Sequence, residues 1–226
     1  MLIDLLRNVP LFNGLGQEQL ESVIALSMIR DYRKYEMVLF EGQPEVRFFL
    51  ILNGRVKISR YTRDGEEAVF AFLGERDIFG ELSVFENEIR ESNVITIESA
   101  RLLIIHRNEF LQLLNEISQI NINLLREMTL KIRRRNEHIK NMTTRNATGK
   151  LAGTILRLAD EYGTVNFDQI EISRMPTHRD IASMVGTSRE TISRALKELS
   201  RKGYIRREGN KLVICNYQDF RTTFSG

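Results

Sequence analysis

The chain has 226 residues, 42% hydrophobic and 28% charged, with a formal net charge of +3 at pH 7. That length allows one large or two modest cores, and the charged fraction points to a soluble protein rather than a membrane-embedded one. A single cysteine, Cys215, excludes an internal disulfide, a cysteine-ligated zinc site and a four-cysteine iron–sulfur cluster within one chain.

The first residues, MLIDLLRNVPLF, carry Asp4, Arg7 and Pro10 inside a short apolar run. They lack the basic start and cleavage site of a secretory signal and cannot span a bilayer, so a cytoplasmic location without membrane association is expected. A helical leader follows, with Leu11, Phe12, Leu20, Val23 and Ile24 on its buried side. From about residue 35 to 106 the character changes. Runs such as FFLILN, RVKISRY, EAVFAFL, NVITIES and ARLLIIH alternate with turn signals at Glu41-Gly42, Asn53-Gly54, Asp64-Gly65 and Phe79-Gly80. This rhythm predicts an antiparallel β-barrel or jelly roll and not a parallel sheet.

Beyond Asn108 the period becomes helical for more than thirty residues. Leu125, Met128, Ile132, Arg135, Ile139 and Met142 fall at alternating steps of three and four, the spacing of a heptad seam. With Lys131, Arg133, Arg134, Glu137 and Lys140 on its flanks, the seam predicts a parallel homodimer. Arg135 on such a seam is a candidate for register control or ligand contact.

Residues 177–194, THRDIASMVGTSRETISR, read as two helices joined by a glycine turn. Ile181, Ala182 and Val185 form the apolar face of the first helix, Gly186 lets the chain leave it, and Thr187 or Ser188 caps the second. In the second, Ile192, Leu196 and Leu199 face a core while Arg189, Glu190, Ser193 and Arg194 point outward. Arginine donates two hydrogen bonds to guanine O6 and N7, and glutamate accepts from cytosine N4, so a half-site rich in G·C pairs is expected. Tyr204–Arg206 and Lys211–Ile214 then read as a hairpin around Gly209-Asn210, the wing of a winged helix-turn-helix. Thr177, His178, Arg179, Thr187, Ser188, Lys197, Lys202 and Lys211 are candidate phosphate contacts, with Arg206 and Arg207 adding charge at the helix end. His106, His138 and His178 are read as surface or capping residues, and no metal spacing is present; haem ligation by one of them stays open. The reading from another class, a sensor whose winged helix makes protein contacts only, lacks any nucleophile–base set or phosphate loop to make it an enzyme.

Barrel, long helix and winged helix in this order, with GELSVFENEIRES, ATGKLAGTILRLA and TSRETISRALKEL, resemble the Crp/Fnr family of bacterial transcription regulators over nearly the whole chain. The resemblance implies an α+β fold. It consists of a cyclic-nucleotide-binding-like β-roll with N-terminal helices (1–107), a dimerisation helix (108–142) and a winged helix-turn-helix DNA-binding domain (143–226). It also implies base contacts by Arg189, Glu190 and Arg194 at a TGTGA-like inverted repeat, a serine contact at Ser193, activation rather than repression, and RNA polymerase as a partner. In nucleotide-binding relatives a Gly-Glu pair holds ribose and an Arg-Ser pair holds the cyclic phosphate. Gly80, Glu81 and Leu82 match the first pair and Ser92 the serine, but Glu91 stands at the arginine position with Arg90 one residue early. Arg135 and Asn136 occupy the helix positions that offer small hydroxyls to adenine. The expectation is therefore no effector, or one other than cyclic AMP held in the usual manner. The alternatives are a cyclic nucleotide held atypically, a redox or haem group, or an internal pair between Glu81 and Arg90 or another cation.

Overall fold

The computed structural model describes residues 2–43, 46–86, 92–144, 146–173, 175–209 and 211–224, the side chains of residue 134 and residues 137–144 excepted. They divide into two compact units, residues 1–132 and 133–226. Arg90, Glu91 and Asn210, and the side chains of Ile139 and Met142, lie outside the described set.

In the first unit, helices α1 (Leu2–Arg7) and α2 (Gln17–Ala25) precede eight strands. These are β1 (Met28–Tyr32), β2 (Met37–Leu39), β3 (Arg47–Asn53), β4 (Val56–Tyr61), β5 (Glu67–Leu73), β6 (Ile78–Phe79), β7 (Asn93–Thr96) and β8 (Ala100–His106). A short helix α3 (Glu81–Glu86) lies between β6 and β7, and α4 (Arg107–Glu116) and the start of α5 (Ser118–Thr144) follow β8. The strands pair antiparallel in two sheets of four, ordered β1-β8-β3-β6 and β2-β7-β4-β5. Of the two alternatives read from the sequence, the jelly roll is therefore the one present, and the barrel is not closed. Strand structure also begins at Met28, earlier than residue 35, because Met28–Tyr32 pairs along β8 although four of its five residues are exposed.

The unbroken apolar runs of β3 and β8 have a direct cause. Phe48, Leu50, Leu103 and Ile105 face a core shared with Leu6, Leu11, Phe12, Leu20, Val23, Phe110 and Ile120 of the helical segments. Their neighbours Phe49, Ile51, Leu102 and Ile104 face a second core with Leu39, Val56, Phe79 and Val94 between the sheets. A strand buried on both faces has no polar side to alternate with. Phe48 stacks on Phe110 at 4.1 Å on one side and Phe49 on Phe79 at 4.7 Å on the other. Ile24 of the leader packs at the edge of the first core. Asn123 of α5, 3% exposed, donates to the carbonyls of Leu11 and Asn13, which fixes the start of α5 on the leader.

The second unit holds α6 (Ala147–Tyr162), the hairpin β9 (Gly163–Asn166) and β10 (Gln169–Ile172), α7 (His178–Val185), α8 (Arg189–Arg201), the hairpin β11 (Ile205–Glu208) and β12 (Lys211–Ile214), and α9 (Tyr217–Phe224). Its sheet runs β11-β12-β10-β9. The first wing strand is thus Ile205–Glu208, shifted from the expected Tyr204–Arg206, because Tyr204 packs its ring against Phe220 and Phe224 of α9. Leu151, Ile155, Leu158, Ile181, Val185, Ile192, Leu199, Ile205, Ile214 and Phe220 form one core.

Gly80 joins β6 to α3 with φ +84, and a Cβ there would lie 2.4 Å from the carbonyl oxygen of Arg47. Gly65, with φ +79, has nothing within 4 Å of that position. Gly65→Ala is expected to lose about 1–2 kcal/mol from the left-handed backbone alone. Gly80→Ala adds a backbone clash and should lose roughly 2 kcal/mol more in denaturant unfolding; equal losses at the two sites would contradict this packing.

Candidate nucleic-acid interface and effector pocket

The exposed end of α8 is built by three local devices. Thr177 caps α7 through a capping box: its hydroxyl accepts from the Asp180 amide at 3.1 Å, and the Asp180 carboxylate accepts from the Thr177 amide at 3.3 Å. Gly186 ends α7 in the left-handed region, φ 68 and ψ 47, which spares the chain a Cβ clash as it turns. Ser188 then caps α8, accepting from the Thr191 amide at 3.2 Å. Together they set α8 against α7 within four residues of its last turn.

Burial orients α8 about its own axis. Ile192, Ala195 and Leu199 are buried and Leu196 is half-buried against the same core. Arg189, Glu190, Arg194 and Lys197 are exposed on the other side. Arg194 donates to the Thr191 hydroxyl at 3.2 Å. Glu190 has its pKa held below the ordinary carboxylate value by its own backbone amide, the Ser188 hydroxyl and the neighbouring Arg189 and Arg194. It stays an ionised acceptor at neutral pH, the form that can accept from a base amino group. The arrangement thus offers two arginine forks and one carboxylate from a single helical face.

Other expected contact residues are already engaged inside the unit. Ser193 is half-buried, with its hydroxyl 3.0 Å from Nδ1 of His178, itself half-buried at the first turn of α7. Burial, then the charges of Arg207 and Arg189, hold the His178 pKa below its usual value. Lys202 pairs with Glu198 at 2.7 Å, and Glu198 also accepts from Thr148 at 3.0 Å. Lys211 pairs with Glu171 at 2.8 Å. These are exposed pairs that a phosphate can displace at little cost. Thr177, Arg179 and Ser188 are exposed and Thr187 half-buried beside α8. Arg206, read as wing charge, bonds Glu208 at 2.6 Å and Gln169 at 2.9 Å, so it braces the two hairpins.

In the first unit Gly80, Glu81 and Leu82 form the turn into α3. Glu81 is 6% exposed, and its Oε1 accepts from Nζ of Lys131 on α5 at 2.9 Å. The same ammonium donates to the carbonyl of Ile78 at 2.9 Å. Among the described residues, Lys131 is a cation that pairs with Glu81; Arg90 lies outside them. Ile and Leu patterning did not reveal this, since Lys131 reads as a flank of the seam; its place one turn from Met128, on the stripe that meets the β-roll, was the available signal. Leu82 points outward, 49% exposed. Ser92 lies just before β7, outside any strand. Arg135 and Asn136 are exposed in the second unit.

Burial separates two stripes along α5. Leu125 and Ile132 are 68% and 59% exposed, whereas Met128 packs against the unit's own core with Ile120 and Leu124. The exposed apolar stripe is Ile122, Leu125 and Ile132, with Thr129 between them. Core and outward stripes run side by side at the same heptad spacing, and the sequence pattern merges them. His106 is exposed at the cap of α4.

Residues 29–117 match the cyclic nucleotide-binding domain family, and residues 149–222 match the Crp-like helix-turn-helix domain. The chain is 30% identical over 211 residues to the CRP-like cAMP-activated global transcriptional regulator of Mycobacterium tuberculosis, covering 93% of this chain and 94% of that one. It is 27% identical to the anaerobic regulatory protein of Bacillus subtilis, covering 90% of this chain and 84% of the relative. Among solved structures it resembles FixK2 from Bradyrhizobium japonicum with a TM-score of 0.75 and 21% identity, over 87% of this chain and 96% of that one. No described helix is long and apolar enough to cross a membrane.

Removing the cap of α7 should loosen the helix pair. Thr177→Ala is expected to lower unfolding stability of the full chain by about 1 kcal/mol, and Thr177→Ser to restore most of it. An unchanged stability in Thr177→Ala would show that the box does not hold the turn.

Proposed function

The chain belongs to the Crp/Fnr family of DNA-binding transcription regulators, and from that premise we propose that it acts as a homodimer reading a TGTGA-like inverted repeat. The observation that carries this reading is the exposure of Arg189, Glu190 and Arg194 together on one face of a helix whose other face is buried. Two arginine forks suit G·C pairs through O6 and N7, and the ionised Glu190 suits cytosine N4. Ser193 contributes to an adjacent position. Thr177, His178, Arg179, Thr187, Ser188, Lys197, Lys202 and Lys211 take the flanking phosphates, which position the helix without reading sequence.

The dimer is formed by α5. The exposed Ile122, Leu125 and Ile132 leave an apolar stripe that a second copy of the same helix covers, and the register continues through Arg135 to Ile139 and Met142. On this reading residues 1–107 sense, 108–142 dimerise and 143–226 bind DNA, in the cytoplasm, with RNA polymerase as the partner of an activator.

For the effector we infer that there is none, or one other than cyclic AMP held in the usual manner. Relatives are named as cyclic-AMP-activated, and Gly80 and Glu81 match the ribose pair. Glu91, however, stands where a cyclic phosphate needs arginine, and Arg135 and Asn136 replace small hydroxyls. The Lys131–Glu81 pair supports a pocket closed in part by the chain itself. Lys131 of α5 bonds both Glu81 of α3 and the carbonyl of Ile78 in β6, so this charge pair ties the sensing domain to the start of the proposed dimer helix.

Gel shifts on a TGTGA-containing inverted repeat test the DNA reading. Arg189→Ala and Arg194→Ala should each lose about 1–3 kcal/mol of affinity and relax preference at one base pair per half-site. Retention of full preference in either variant would contradict the assigned contacts. Titration calorimetry with cyclic AMP should give no heat of tight binding to the wild-type protein; micromolar binding would overturn the effector reading while leaving the DNA contacts intact. Leu125→Glu with Ile132→Glu should turn a dimer into a monomer in analytical ultracentrifugation, and a persistent dimer would place the interface elsewhere.

A further inference from the structure

Ser193 and His178 meet where the two helices of the reader cross, and the direction of the hydrogen between them is not fixed by their positions. The hydroxyl oxygen lies 3.0 Å from Nδ1. If the ring presents a bare Nδ1, the serine must donate to it, and only lone pairs of the hydroxyl remain to face outward. If Nδ1 carries a proton, the serine accepts, and its own hydrogen is turned outward. One hydroxyl therefore offers two recognition chemistries.

We propose that His178 is a positioning residue that sets which base Ser193 reads, through the hydrogen bond between them. With a neutral ring carrying its proton on Nε2, Ser193 presents an acceptor and favours the exocyclic amino groups of adenine or cytosine. With a protonated ring it presents a donor and favours bases with a major-groove acceptor, thymine O4, guanine O6 and N7 or adenine N7, over cytosine, which has none. This rests on the DNA reading proposed above and assigns a regulation to one of its contacts.

The surroundings set the direction in which this switch titrates. Ser193 of α8 bonds the ring, and the charges of Arg189 of α8 and Arg207 of β11 act on it; on its own helix Arg179 is the next residue and Asp180 is bonded to Thr177. His178 is also at the first turn of α7, where the helix end disfavours a cation. Burial, Arg207 and Arg189 keep the ring neutral in the free chain at neutral pH. A DNA phosphate brought to α7 has the opposite sign, so it raises the pKa of His178 and brings the protonated state into reach on the complex. The sign follows: lowering pH populates the donor form of Ser193.

The test uses the full-length protein and duplexes carrying each base pair at every half-site position, in competition binding at about pH 5.5 and about pH 8. The Ser193 position is the one whose preference disappears in Ser193→Ala. At that position the wild type should shift from cytosine at the higher pH toward thymine or guanine at the lower, changing the ratio roughly five- to tenfold. The preference set by Arg194 should stay constant in the same series. His178→Asn, whose amide replaces Nδ1 but does not titrate, should give one ratio at both pH values. A wild-type ratio that does not move with pH, with discrimination at the Arg194 position intact, would overturn the role of His178 alone. Absence of any base preference at either pH would overturn the DNA reading and this assignment with it.

Discussion

The reader depends on the rotational setting of one helix. α8 buries Ile192, Ala195 and Leu199 in the core of its unit, and that burial turns Arg189, Glu190 and Arg194 to solvent together. Burial of each large aliphatic side chain is worth about 1.5–3 kcal/mol, whereas the exposed charges gain little from the chain itself. The apolar side therefore decides and the polar side follows. Rotating α8 by one residue would expose Leu199 and sink an arginine, a penalty no surface contact offsets. The left-handed Gly186 and the caps at Thr177 and Ser188 add the other coordinate, the position of the helix start.

The same logic holds in the first unit at larger scale. β3 and β8 are covered on both faces, by helices on one side and by the second sheet on the other. That makes them the rigid layer from which the turn at Gly80 is hung, and Glu81 follows the turn directly. An acidic side chain 6% exposed needs a partner, since an unpaired buried charge is costly. Lys131 supplies it from α5, so the β-roll and the long helix are joined by charge as well as by Asn123 and the apolar stripe of Ile120, Leu124 and Met128. In the proposed reading this joint stands at the place where relatives accept a ligand.

Much of this was legible in the chain because the features are local. Periodicity in 189–199, the glycine turn at 186 and the runs in 47–53 and 100–106 each carry their own signal. What escaped depends on tertiary pairing. The β9–β10 hairpin has no glycine, proline or Asn-Gly at its tip; Phe167 takes the turn with φ 53 and is 96% exposed, against its usual preference. Spacing alone places Met128 on the outward seam because two neighbouring stripes of α5 share one spacing, but Met128 packs on the core of its own unit. Lys131 looked like a flank charge because its partner is fifty residues away in sequence. Ser193 looked like a free base contact because the His178 ring that holds it comes from the preceding helix. In each case the residue type was visible and the neighbour was not.

The central claim is that the outward face of α8 reads base edges as one half of a symmetric pair. Selection of the purified wild-type protein on randomised duplexes tests it most directly. The account predicts enrichment of an inverted repeat with G·C-containing half-sites whose centres lie about 34 Å apart, one turn of the double helix or a multiple of it. Recovery of single, unpaired half-sites, or of no sequence at all despite salt-sensitive binding, would contradict it.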